Sequence, residues 1–387
     1  MEAFRQSSPP LAPRTGGEIS PLDPRRLMSL PARSCGRSVI RIGVSGNLGG
    51  HTRELCAACA VAAEMWLART MSECDVELVW AEDSFDGART REAACRLVDS
   101  GVVAIIGHLA SSAALAAASV YRRAELPFLA PGASHPALTS AGHWNVLRLT
   151  GRDEDLAVRM ADVAIRLGCQ APGVVEQKNA HGHSLGRLLS RRLRELGLDV
   201  RHVVLDRAPE AMPRRAFAGT DALLLAGTYE MAVRLLTWLD KKGYTGRTVL
   251  SDDAFTPELP LRAHSAAAEA LVVSTPLVVD HPEHCGFRRA YVRRTGLPPG
   301  AYSASSFVAM SLLLEELEML KSKGAKAFMK TVKSHAPRAS LLGPLRFLAS
   351  GDVADFNWAT YQVADGGFVP VRMAEEEYRW NGCSRTG

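Results

Sequence analysis

The chain has 387 residues, 47% of them hydrophobic and 22% charged, with a formal net charge of +5. That length allows two domains with cores of their own, and no apolar run approaches the roughly 20 residues of a membrane-spanning helix. The positive charge is scattered over expected helices, as at Arg187, Arg191, Arg192 and Arg194. No basic stripe with interleaved aromatics appears, which argues against nucleic-acid binding.

Residues 1–38 are rich in Pro, Ser, Gly and Arg and read as a disordered leader. Arg25-Arg26 and Cys35 invite an export or lipoprotein reading, but the apolar segment Leu27-Met28-Ser29-Leu30 is short and stops at Pro31. The expectation is a cytoplasmic chain, or a periplasmic one if its start site is misassigned.

Past the leader, strands and helices alternate. Strands are expected at 39–44, 76–80, 102–106 and 127–130, with helices at 53–71, 88–100 and 111–123 between them, and a further extended run at 144–149. These strands are near-continuous apolar runs, the mark of a parallel sheet covered on both faces. Thr150-Gly151-Arg152-Asp153 looks like a crossing point, after which the pattern restarts. Strands follow at 173–176, 199–204, 222–226, 247–251 and 271–275, with helices from about 182 and 230. Helices near 286–295 and 301–323 and short strands at 344–347 and 359–363 end the chain.

Two turns carry the chemistry. Strand 102–106 runs into Gly107-His108-Leu109-Ala110-Ser111-Ser112, and strand 127–130 into Pro131-Gly132-Ala133-Ser134-His135-Pro136. Hydroxyls and free backbone N–H groups at a helix N-terminus favour an anion. Two such turns on adjacent parallel strands open at the sheet edge where α/β folds bind ligands. The expected guest is a small carboxylate. Ser111 is either a ligand contact or simply the cap of its helix.

No Gly-x-Gly-x-x-Gly, P-loop or Gly-x-Ser-x-Gly motif occurs, so no cofactor is expected. Cys56-Ala57-Ala58-Cys59 lies mid-helix without a second pair. His181-Gly182-His183 and His281-Pro282-Glu283-His284-Cys285 each offer too few ligands, so no metal is expected either.

These residues resemble the type I periplasmic binding proteins, specifically those like the leucine/isoleucine/valine-binding protein. The two serine turns, Leu147-Arg148-Leu149-Thr150-Gly151-Arg152-Asp153 and Gly343-Pro344-Leu345 match the family's motifs in order, and the likeness runs from Val39 to Val371. The resemblance implies an α/β fold of two Rossmann-like lobes joined by three hinge crossovers, near Thr150, Pro276 and Leu345. The first lobe would comprise 39–150 and 277–345 and the second 151–276 and 346–372, leaving 373–387 as a tail.

The resemblance also implies the contacts. Ser111, with Ser112 beside it, and Ser134 would hold an α-carboxylate. The Gly132 carbonyl and Ser134 hydroxyl, with Ala133 between them, would accept from an α-amine, and Asp253 would pair with it, Asp252 being the alternative. Thr228 or Tyr229 would cover the guest. His181 stands where the family usually has an aromatic. Relatives often tie the loop after the second strand to the serine turn by a disulfide; the matching positions here are Phe85 and Ala110. Loss of that bridge suits a reducing compartment.

The leading function is a solute-binding protein clamping an amino acid or amide-like small molecule, as in branched-chain amino acid ABC transport. Its partner is then an ABC permease, with no membrane insertion of its own. The alternative is a cytoplasmic sensor that holds a regulatory protein partner. A third reading, an enzyme, would use Ser111, His181 and Asp253 as nucleophile, base and orienter.

Overall fold

The computed structural model describes residues 23–30, 38–47, 51–70, 74–84, 86–206, 209, 216–278 and 280–371. Most of the expected leader with Cys35, the glycine loop 48–50, Phe85 and the tail from 372 lie outside these described residues. Residues 23–30 correct the leader assignment. There Asp23 accepts from Arg25 N at 2.9 Å and caps helix α1 (Pro24–Leu27). Leu27 and Met28 are buried in the first lobe's core; two adjacent apolar side chains outweigh the polar composition around them.

The first lobe then follows the expected alternation through β1 (Ser38–Gly46), α2 (Thr52–Arg69), β2 (Cys74–Glu82), α3 (Gly87–Asp99), β3 (Ala104–Gly107), α4 (Ser111–Arg123), β4 (Phe128–Ala130), α5 (Ala137–Ser140) and β5 (Val146–Arg148). Its strands are all parallel in the order β2-β1-β3-β4-β5. Ile42, Val44, Ile105 and Ile106 are fully buried between helix layers, as their unbroken apolar run requires.

The second lobe repeats the scheme in α6 (Asp153–Arg166), β6 (Pro172–Gln177), α7 (Ala180–Glu195), β7 (Arg201–Leu205), β8 (Ala222–Ala226), α8 (Tyr229–Lys241), β9 (Arg247–Leu250), α9 (Glu258–Ala263) and β10 (Leu271–Ser274). The chain returns to the first lobe for α10 (His284–Thr295), α11 (Ser303–Glu315) and α12 (Leu317–Ser334), whose Phe287, Phe307 and Phe328 join the first core. Strands β11 (Ala359–Ala364) and β12 (Gly367–Pro370) complete the second sheet, ordered β12-β11-β10-β9-β8-β6-β7, with the last hairpin antiparallel.

Two expectations are corrected here. The single helix expected over 301–323 is α11 followed by α12, broken at Glu316 and again at Gly324, whose φ of 79° is not helical. The strand expected at 344–347 makes only the isolated bridges Arg338↔Leu345 and Phe347↔Val353.

The chain passes between the lobes three times, over 149–152, 275–283 and 354–358. The third passage lies later than Leu345, because Leu345, Phe347 and Val353 all pack in the first core and Arg148 N donates to Gly351 O at 2.8 Å. The first and third passages pack directly on each other. A Cβ on Gly151 would lie 2.5 Å from the Trp358 indole, so only glycine fits at that crossing.

Each sheet has one point where the connections change direction. It falls between β1 and β3 in the first and between β6 and β8 in the second. Open α/β sheets bind ligands beyond the carboxyl ends of the strands at such points. Here those ends carry the serine turns in one lobe and residues 177–181, 227–229 and 251–253 in the other.

Candidate functional site

The first wall is built on β3 and β4. Gly107 ends β3 at φ 134°, where a Cβ would meet Ser45 O at 2.1 Å, so the strand turns at a position only glycine can occupy. Helix α4 opens at Ser111 with Ala110 as its N-cap and no side-chain cap bond. Ser111 is therefore the first helical residue, not the cap, and its hydroxyl stands beside the helix's unpaired N–H groups. Ser112 follows, half-buried.

The second turn is held from below. Arg148, with no solvent exposure, donates from Nη1 to the carbonyls of Ala133 (3.1 Å) and His135 (3.0 Å), from Nη2 to Thr139 Oγ1 (2.8 Å) and from Nε to Asp352 (2.8 Å). Gly132, Ala133 and Ser134 are thus fixed as a rigid, buried bend. Ser111 and Ser134 end adjacent parallel strands and open on the same sheet edge.

The second wall places His181 in the first turn of α7, Thr228 as N-cap of α8, Tyr229 next to it, and Asp253 in the turn after β9. His181 reaches across the cleft: its Nδ1 is 3.4 Å from Ser134 Oγ and 3.4 Å from Asp153, and its Nε2 is 3.5 Å from Asp252. Thr228 is occupied as a cap, accepting from Met231 N, while its own N–H goes to Gln177 at 2.6 Å. The Tyr229 hydroxyl accepts from Arg262, and its ring meets His51 edge-on.

Asp253 is engaged from both lobes. It accepts from Tyr229 N at 2.7 Å and Tyr302 Oη at 3.1 Å, and pairs with His51 at 3.3 Å. Across the cleft Ser134 meets His181, and Asp253 and Tyr229 meet His51, but the order Ser111–His181–Asp253 of a hydrolytic triad is not made. His181 faces Ser134, Asp153 and Asp252, and Asp253 faces His51.

Three residues of this cleft, His51, Glu54 and Tyr302, were not among the expected contacts. His51 bridges Glu54 (3.1 Å) and the Asp253 backbone oxygen (2.9 Å); Glu54 also accepts from Tyr302 N (2.9 Å), and Tyr302 Oη reaches Asp252 at 3.3 Å. Asp252, the expected alternative to Asp253, joins them. His51, Glu54 and Tyr302 belong to the first lobe, so with Ser134 they join the two walls.

The electrostatics follow from burial among acids. Burial alone would lower the pKa of His51, but the Asp253 and Glu54 carboxylates raise it well above its ordinary value. Both its nitrogens face acceptors, which requires the doubly protonated ring. His181 is likewise pulled down by burial and pushed up further, to about 9, by Asp153 and Asp252. Burial lifts Asp252 to about 6 against the opposing charge of His181. For Asp253 burial acts upward, yet His51 and the Tyr229 N–H bring it to about 2. The cleft thus sets an anion-ready bend opposite a nest of carboxylates, the chemistry of a site for an anionic and a cationic group on one small molecule.

Among the described residues, no helix is long and apolar enough to cross a membrane and no group of side chains is arranged to hold a metal ion. The family model described as periplasmic binding protein matches residues 39–367. An amino acid binding protein of Pseudomonas aeruginosa is 24% identical over 303 residues, covering 76% of this chain and 80% of that protein. Leu/Ile/Val-binding protein homolog 1 of Brucella abortus is 23% identical over 72% of this chain and 76% of its own length. The crystal structure of a leucine binding protein from Thermotoga maritima superposes with a TM-score of 0.78 at 22% identity, covering 86% of this chain and 98% of that one. With its two-lobed fold and a family match along most of its length, the chain belongs to the periplasmic binding protein family.

Proposed function

We propose that this protein is a solute-binding protein that clamps an amino acid or amide-like small molecule between its lobes and delivers it to an ABC permease. The observation that carries this reading is the opposition of Ser111 and Ser134, at a helix N-terminus and a buried bend, to Asp252 and Asp253 across the cleft. The names of the relatives, amino acid and leucine binders, support the same class of guest. On this reading Ser111, Ser112 and Ser134 take the carboxylate. The Gly132 carbonyl takes the amine, with Asp253 supplying negative charge opposite. Ala133 and Tyr229 close the space, and His181 moves aside as the guest enters.

A thermal-shift screen of amino acids and amides on the purified chain tests it. A guest at a hundredfold excess over its Kd stabilises the folded state by about 2.7 kcal/mol, and Ser134→Ala removes most of that shift. A screen in which no amino acid or amide moves the midpoint overturns the reading.

One observation favours a second reading, a cytoplasmic sensor with a regulatory protein partner. The loops after β2 and β3 are tied by Asp83 and His108, at 2.5 Å, with Tyr121 closing the ring's other nitrogen at 2.9 Å. Such a tie, unlike the disulfide expected of relatives, needs no oxidising compartment. Cell fractionation decides: recovery from the periplasm supports delivery to a permease, and recovery from the cytoplasm supports the sensor.

A further inference from the structure

The cleft's charge goes beyond what a simple zwitterion needs. Glu54, Asp153, Asp252 and Asp253 surround two imidazoles, those of His51 and His181. The neighbouring arginines are engaged elsewhere: Arg148 with Asp352, Arg53 with Glu258, Arg152 with Glu154 and Arg262 with the Tyr229 hydroxyl. With both imidazoles protonated, two negative charges remain in excess, or one when Asp252 takes a proton. A guest with one ammonium and one carboxylate brings no net charge to this buried cluster and leaves it uncompensated.

A second observation points the same way. Asp153 is fully buried and Asp252 is 1% exposed, yet Oδ1 of Asp252 and Nε2 of His181 make no hydrogen bond, and the Asp153 carboxylate has only long contacts, to His181, Ser134 and Ser184. The two acids share one imidazole, that of His181, which approaches them only at 3.4 and 3.5 Å. A flat ring with two N–H groups cannot satisfy this set of acceptors; an ammonium with three donors or a guanidinium with five can. Leu109 packs against the cores of both lobes and beside Gly132 in the serine bend, and offers an apolar surface for methylenes.

We propose that the cleft selects an amino acid whose side chain ends in an ammonium or guanidinium, seated between Asp153 and Asp252 in place of the His181 ring. The inference rests on the solute-binding reading above and narrows its substrate class. The α-carboxylate lies at Ser111 and Ser134, the methylenes cross Leu109, and the distal cation enters the acid nest.

Titration calorimetry on the full chain tests it with four probes: L-lysine, L-norleucine (the same straight chain without the terminal ammonium), L-leucine, and cadaverine (lysine without its carboxylate). Lysine is expected to bind at least about tenfold more tightly than norleucine or leucine, and Asp252→Asn to shrink that ratio to about threefold or less. Should Asp252→Asn fail to fold, the lysine-to-norleucine ratio on the unaltered chain still decides. Norleucine or leucine binding as well as lysine overturns the cation selection and leaves the amino-acid reading standing. Cadaverine matching lysine supports the cation pocket and removes the carboxylate half of that reading. Silence from all four overturns the cation selection, and the amino-acid and amide screen above then decides the solute-binding reading.

Discussion

Replacing Asp352 by Ala removes the carboxylate that faces a fully buried guanidinium. Arg148 keeps its bonds to the Ala133 and His135 carbonyls and to Thr139 Oγ1, but loses the 2.8 Å pair at Nε. Asp352 also accepts from Thr139 Oγ1 at 3.0 Å and Ser350 Oγ at 2.9 Å, so its loss loosens the third passage as well as the bend. Leaving one partner of a buried pair uncompensated costs about 3–5 kcal/mol, a large part of the roughly 5–15 kcal/mol that holds a domain folded. Urea unfolding followed by tryptophan fluorescence reads this directly. The double variant Arg148→Met with Asp352→Ala buries no charge and, set against the two single variants, is expected to recover part of the loss, giving a coupling energy of about 2 kcal/mol or more. Because the bend carries Ser134, affinity for the guest should fall in the single variant too. A cost below about 1 kcal/mol for Asp352→Ala, or strict additivity in the double variant, refutes the argument that this pair fixes the bend.

Other consequences follow from the same geometry. His51 and His181 both have raised pKa values, His181 at about 9, with Glu54, Asp153, Asp252, Asp253 and the Tyr302 hydroxyl facing them. A histidine raised by folding contributes stability that is whole below its unfolded value near 6.5 and is lost as pH climbs through the folded value. The unfolding midpoint of the ligand-free chain should therefore fall between about pH 6.5 and 9, and His181→Gln should flatten that fall; a midpoint that rises over this window contradicts the assignment. Tyr302→Phe removes the single hydroxyl donor shared between Asp253 and Asp252 and should cost about 1.5–3 kcal/mol by urea unfolding, as a hydrogen bond to a charged group does. An unchanged midpoint would show that neither bond contributes. Gly107→Ala forces a Cβ to within 2.1 Å of Ser45 O at a positive φ and should cost at least about 1–3 kcal/mol; a neutral result would mean that the turn after β3 is free to move.

What the sequence shows and hides has physical causes. Parallel strands buried on both faces are near-continuous apolar runs, so Val102 to Ile106, and Ile40 to Val44 apart from the exposed Arg41, are readable without partners. The serine turns are readable because small and hydroxyl residues follow those runs at once. The β11–β12 hairpin also had a local signal that went unread. Asp365 and Gly366 both take positive φ, and Asp-Gly between extended runs is a strong short-range hairpin marker. The first lobe's share of the site is different in kind. Tyr302 meets Glu54 across 248 residues of sequence, and His51 meets Asp253 across 202. No periodicity or spacing encodes pairs so distant in the chain, one within the first lobe and one across the cleft. The break between α11 and α12 was hidden for a related reason, since both helices are largely apolar on their inner faces and read as one.

A crystal structure of the chain grown with L-lysine tests the central claim most directly. The account expects closed lobes, the guest's carboxylate within hydrogen-bond distance of the Ser111 and Ser134 hydroxyls, and its terminal ammonium between Asp153 and Asp252. A guest bound outside the cleft, or one whose carboxylate points to the acids of the second lobe, would contradict it.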